Sequence, residues 1–215
     1  MLDFNFAQLF IAFTVLLFSL TVHEMAHAWS ADMLGDPTAR ILGRVSFNPL
    51  VHADLVGTVV FPLIAWTTGV PLLGWAKPVP VDVRQLRRKH RDFVLVAAAG
   101  PASNVLLAVI ASSLLALLPV TPVTLGEPNA SAPLALLLSQ AVRLNVLLAV
   151  FNMLPIPPLD GGNVVSGLLP RPMARTFDLV KPYGFLVLYA LILTDKLWVL
   201  IGPPSNVLFS LLPTK

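Results

Sequence analysis

The sequence predicts an all-α polytopic membrane protein, and three observations carry that expectation. Apolar runs recur at roughly 4–31, 55–75, 93–118, 134–154 and 183–202, each near the ~20 residues that cross a bilayer as a helix. Charged residues make up only 12% of the 215, about half the share of a soluble domain, and mean hydropathy is +0.82. Lysine and arginine collect in some connecting loops and avoid another. Together these predict one integral membrane domain over 1–215, with its core at 4–165 and a C-terminal membrane segment at about 183–202. A net charge of +3 and a pI near 9.6 fit basic loops flanking a membrane rather than a nucleic-acid surface. Cysteine is absent, which excludes disulfides and thiolate metal sites; a metal must be held by His, Asp or Glu.

The first run begins Met1-Leu2-Asp3-Phe4, without the basic start of a signal peptide and with no small-residue cleavage site behind it. Its helix is therefore expected to stay in the mature chain. Phe6 to Val22 carries no charge, and the run ends in His23-Glu24-Met25-Ala26-His27. Histidines four apart share one helix face and can reach a single zinc ion, with a glutamate beside the first to handle protons. Ionisable groups that continue a membrane helix are costly and point to function. On these five residues alone, histidines merely hydrogen-bonded in a helix bundle remain an alternative.

The loops set the topology. Arg40 and Arg44 lie in 32–54; Lys77, Arg84, Arg87, Arg88, Lys89 and Arg91 in 76–92; Arg171, Arg175 and Lys181 in 160–182. The 119–133 loop has no Lys or Arg. Counting positive charge places the first three loops in the cytoplasm and the last outside. A single crossing by 55–75 would contradict this, since the loops on both its sides are basic. Gly57, Pro62, Gly69, Pro71 and Gly74 also break the segment. A re-entrant or extended element near 55–81 resolves both facts, making four to five membrane segments in all. The first helix then delivers His23 and His27 near the cytoplasmic boundary, and the fourth run returns to the same depth at Asn152-Met153-Leu154-Pro155.

Two histidines leave zinc one protein ligand short. A third histidine ten residues after the first is excluded, because position 33 is methionine. Glu127 falls on the opposite side, and His90 sits in a basic run. Asp160 follows three prolines in four positions and precedes Gly161-Gly162, broken backbone at the mouth of a membrane helix. Taken alone, the stretch also reads as a turn aspartate.

Three stretches together are specific: His23-Glu24-Met25-Ala26-His27, Gly100-Pro101-Ala102-Ser103-Asn104, and Asn152 through Gly162. In this order they resemble the site-two protease family of intramembrane zinc metallopeptidases, over most of residues 6–165. Gly74-Trp75-Ala76-Lys77-Pro78-Val79-Pro80-Val81 looks like that family's short extended element beside the active site. The resemblance implies one zinc per chain held by His23, His27 and Asp160, with Glu24 as catalytic base. It implies that Asn152 positions or polarises the scissile carbonyl. Substrates would be proteins with a membrane-spanning segment, and the setting the lipid bilayer of a prokaryotic plasma membrane, with the site toward the cytoplasm. Asn163 stands where relatives often have a basic residue. The rival reading is a non-catalytic membrane protein that binds substrate helices around a structural zinc, for which Glu24 would be superfluous.

His52 and Asn104 are candidate accessory residues, Asn104 with Gly100 forming a close helix-packing face. Val79, Pro80 and Val81 could receive an extended substrate strand, or could be a stiff connector. Arg143 falls about 200° from Asn145 on a helix, away from the face that Asn145 shares with Asn152. The Arg87-Arg88-Lys89-His90-Arg91 run reads as an orientation signal beside lipid heads.

Overall fold

A computed structural model describes residues 6–60, 63, 64, 67, 76–118 and 132–213. The described residues form helices and connecting turns without strands. In order these are α1 (Phe6–Met33), α2 (Thr38–Ile41), α3 (Pro49–His52), a π-helical turn (Leu55–Val60), α4 (Lys89–Leu117), α5 (Ala132–Asn152), α6 (Asp160–Leu168), α7 (Arg171–Val180), a 3-10 turn (Lys181–Tyr183), α8 (Gly184–Leu193) and α9 (Leu197–Leu211). Four helical stretches are long and apolar enough to cross a membrane: Ala7–Met33, Lys89–Leu117, Ala132–Asn152 and Pro172–Leu193. Large apolar side chains stand exposed along them, Phe10, Phe18, Leu106, Ile110 and Leu117 among others, as lipid-facing surfaces require.

Helix α4 is the hub, packing against α1, α5 and α6, with α1 and α5 also in contact. Most buried polar side chains among the described residues of this bundle find a partner, as the cost of an unsatisfied group in hydrocarbon demands, and Asp160 Oδ2 is an exception. On the outer side of α5 Arg143 is exposed while Asn145 is buried, the disposition expected from their spacing.

At the end of α1 the chain turns on Gly35, whose φ of 112° suits a residue without Cβ. The loop that follows is tied to the one before α4. Buried Asp36 accepts from Thr38 N at 3.0 Å and from Asp82 N at 2.6 Å, and Arg87 N donates to Leu34 O at 3.1 Å. Ala31, Leu86 and Val96 pack there with Val81 and Phe93, fixing α1 against the start of α4.

Lys77 N donates to His52 O at 2.7 Å. The two ends of 52–77 therefore meet, whereas a single crossing would part them by roughly 30 Å. This contact agrees with the re-entrant expectation, although most of the element near 61–75 lies outside the described residues. The 119–131 loop also lies outside them. Topology is checked by single cysteines at Arg88 and Asn129, which are expected to label from opposite sides of the membrane, with Thr68 not labelled freely from outside. Same-side labelling of the first two would overturn the arrangement.

Beyond α5 the prolines break the helix. Leu154 and Leu159 then pack with Val150, Leu188, Leu197 and Ile201, so the turn is held by α8 and α9. A Cβ on Gly161 would lie 2.3 Å from Met153 O, so only glycine lets α6 start against the end of α5. The segment expected at 183–202 is two helices. They part at Asp195, whose φ is 56°, leaving Pro172–Leu193 as the long span and α9 as a shorter apolar helix.

Candidate metal centre

His23 and His27 lie one turn apart on α1, both buried, and Asp160 opens α6. The packing of α1, α4 and α6 carries these two distant parts of the chain to one point. His23 Nε2 lies 3.1 Å from Asp160 Oδ2, His27 Nε2 lies 3.3 Å from it, and the two Nε2 atoms are 3.1 Å apart. These are the closest donor atoms of the one cluster with metal-ligand chemistry among the described residues.

The other ring nitrogens show what the Nε2 atoms are. His27 Nδ1 lies 2.7 Å from Val96 O, a backbone carbonyl that only accepts, so a neutral ring carries its proton at Nδ1. His23 Nδ1 lies 2.6 Å from Asn104 Oδ1. Both Nε2 atoms then present lone pairs to each other and to a carboxylate oxygen that has no hydrogen-bond donor. Three lone pairs so close repel unless a metal ion or a proton lies among them. The 3.1–3.3 Å separations match the edge of about 3.3 Å in a tetrahedron of N and O ligands around zinc. The donor set fits the metal.

Gly100 on α4 faces the same point. A Cβ there would stand 2.2 Å from His27 Nε2 and 2.6 Å from His23 Nε2. Its spacing with Asn104 suggested only helix packing; in the structure it leaves the room that a metal needs.

Glu24 is half-buried beside His23, and its Oε2 accepts from Val79 N at 3.1 Å. Asn104 is brought directly to His23, whereas Asn152 donates from its side-chain nitrogen to Leu148 O of its own helix at 3.0 Å. His52 is buried with Nε2 2.8 Å from Ser46 O, and makes no hydrogen bond to the triad. It supports the region through its carbonyl, which receives Lys77 N. Residues 76–82 are neither helix nor paired strand. Ala76 packs with Leu16 and Leu20 of α1, and Leu144 and Leu148 of α5, seating this segment against the bundle. Asn145, not singled out as a site residue from sequence, joins the site through Asn104; its signal was a carboxamide seven residues before Asn152, on the same face of an apolar helix.

The model of peptidase family M50 matches residues 11–132 and 119–193, most of the chain. The chain belongs to that family. Among curated proteins it is 36% identical over 179 residues to "Putative zinc metalloprotease YwhC" of Bacillus subtilis, covering 83% of this chain and 78% of that protein. It is 30% identical over 182 residues to "Putative zinc metalloprotease Rip2" of Mycolicibacterium smegmatis, and 27% identical to the Rip2 of Mycobacterium tuberculosis. Each of these two alignments covers 84% of this chain and 66% of the relative's length. No solved structure matches significantly. The expected enzyme class, a zinc metallopeptidase of the site-two protease family, agrees with the family match and these relatives.

Proposed function

We propose that this M50 peptidase hydrolyses peptide bonds within or beside the membrane-spanning segments of other proteins. The observation that carries the reading is the convergence of His23, His27 and Asp160 inside a bundle of membrane-length helices, with Glu24 next to the first ligand. Zinc, when bound, supplies a Lewis acid that polarises a peptide carbonyl and makes water more acidic near neutral pH. Glu24 takes the proton from the attacking water as the new C–O bond forms. It returns a proton to the leaving amine as the C–N bond breaks. Val79 N–H holds Glu24 Oε2 in place for this exchange. Asn152, at the end of α5, is the neutral donor that would turn from Leu148 O toward the developing oxyanion.

A membrane helix hides its amides in its own hydrogen bonds, so substrate must unwind before it is cut. Residues 77–80 suit the unwound form. Lys77 N–H is spent on His52 O, Val79 N–H is spent on Glu24, and Pro78 and Pro80 have none. A peptide laid along this stretch meets backbone acceptors only, so it donates its N–H groups and keeps its carbonyls free for polarisation. Substrate entry from the bilayer and cleavage near the cytoplasmic face complete the proposal, in accord with the basic loops.

Metal analysis tests the ligand set. Purified protein is expected to carry about one zinc per chain, and Asp160→Ala and His23→Ala to lose it while the helices stay folded. Full zinc in both variants would overturn the assignment.

A further inference from the structure

A line of amides runs from the metal centre into the middle of the bundle. His23 Nδ1 meets Asn104 Oδ1 at 2.6 Å, and Asn104 Nδ2 donates to Asn145 Oδ1 at 2.8 Å. Asn145 Nδ2 donates to Ser19 Oγ and to Ala141 O, each at 2.9 Å. Ser19, Asn104 and Asn145 are 0%, 0% and 2% exposed, so no solvent relieves a mispaired member.

The direction of this line is fixed at its far end. Ala141 O is a backbone carbonyl and can only accept, so the atom of Asn145 facing it is the amide nitrogen. Asn145 then turns its oxygen to Asn104, which must answer with its nitrogen and so present its own oxygen to His23. Reversing Asn104 would set two oxygens against each other at Asn145. Reversing both would set two oxygens against each other at Ala141. An oxygen facing His23 Nδ1 requires a proton there, and Nε2 is left bare. His27 reaches the same state in one step, through Val96 O.

We propose that Asn145 is a positioning residue for the metal centre. Acting through Asn104, it transmits the polarity of the Ala141 carbonyl and locks His23 in the tautomer that can ligate through Nε2. The inference rests on the reading of His23 as a zinc ligand, but the tautomer itself is measurable without metal. A plain role as interhelical glue would stabilise the bundle without choosing the tautomer.

The test uses the full chain in detergent micelles. In the chelator-stripped protein, nitrogen NMR of labelled histidine is expected to show His23 protonated at Nδ1, with Nε2 protonation appearing in Asn145→Leu. Zinc competition with a chelator should show roughly 10–100-fold weaker binding in Asn145→Leu. Asn104→Asp supplies an oxygen to His23 whichever way it turns, so in that background Asn145→Leu should cause no further loss. Asn145→Ala carries the same expectations, should the leucine variant not fold. An unchanged His23 tautomer in the Asn145 variants would overturn the proposal, as would equal zinc losses in both backgrounds. If His23→Ala leaves zinc affinity untouched, the zinc reading fails instead, and the tautomer result shows this separately.

Discussion

Glu24→Gln is expected to lower peptide-bond hydrolysis on the order of 10²–10⁴-fold, the usual worth of a positioned acid–base group, while zinc stays bound. Glutamine keeps the length of the side chain and an oxygen for Val79 N–H, so the local structure has no reason to change. It cannot take up a proton from water at neutral pH. His23, His27 and Asp160 are untouched by the substitution, and their spacing is set by α1, α4 and the turn before α6. The measurement pairs zinc content with cleavage of reporters that carry a single membrane span with helix-weakening residues near its cytoplasmic end. Zinc retained, wild type active and variant inactive is the expected pattern. Equal cleavage by the two proteins would end the mechanism. A site that held zinc only for structure would be indifferent to Glu24 in every assay.

Much of this architecture was legible because hydrocarbon imposes one rule on every spanning segment. Apolar runs of membrane length located α1, α4 and α5, and the two ends of the 52–77 stretch meet as the charge of its flanking loops required. Helix ends were less legible. The start of α4 reaches back through Arg91 and His90 to Lys89, because a solvated basic turn can stay helical once Asp92 accepts Arg88 N–H at 2.7 Å. The interruption at Asp195-Lys196 was visible, but not that it would divide the C-terminal segment into two helices. At the metal centre helix period paired His23 with His27 and topology brought the end of α5 to their depth, while Asp160 as the third member was implied by the family resemblance. The groups that orient them were not legible. Val96 and Ala141 act through backbone carbonyls, which every residue has and no side chain announces. Asn104 was visible as a polar group on a helix face, yet its partners come from α1 and α5, far away in sequence.

Gly100→Ala is expected to remove zinc and activity together while the helices still form. Within a helix, glycine to alanine ordinarily adds about 0.5–1 kcal/mol of stability. Here the new methyl carbon would stand 2.2 Å from His27 Nε2 and 2.6 Å from His23 Nε2, inside contact distance of both proposed ligand atoms. The imidazoles cannot simply swing aside, since Asn104 holds one and Val96 O the other, and both rings are buried. Either the methyl takes the space of the metal, or α4 backs away from α1 and draws Asn104 and Val96 off the histidines. Both routes end in a weaker site. Activity should fall at least as far as in Glu24→Gln, on the order of 10²-fold or more. The two variants are told apart by metal, lost in the alanine variant and kept in the glutamine one. Gly202→Ala on α9, where a Cβ meets nothing within 4 Å, is the control and should change neither zinc nor cleavage. Thermal unfolding separates the routes: a methyl in the metal's place leaves the metal-free protein as stable as its parent or more so, and a displaced α4 lowers its midpoint. Full zinc and full activity in Gly100→Ala would mean that α4 does not approach the metal centre, and the packing of α4 on α1 would be wrong at its most constrained point.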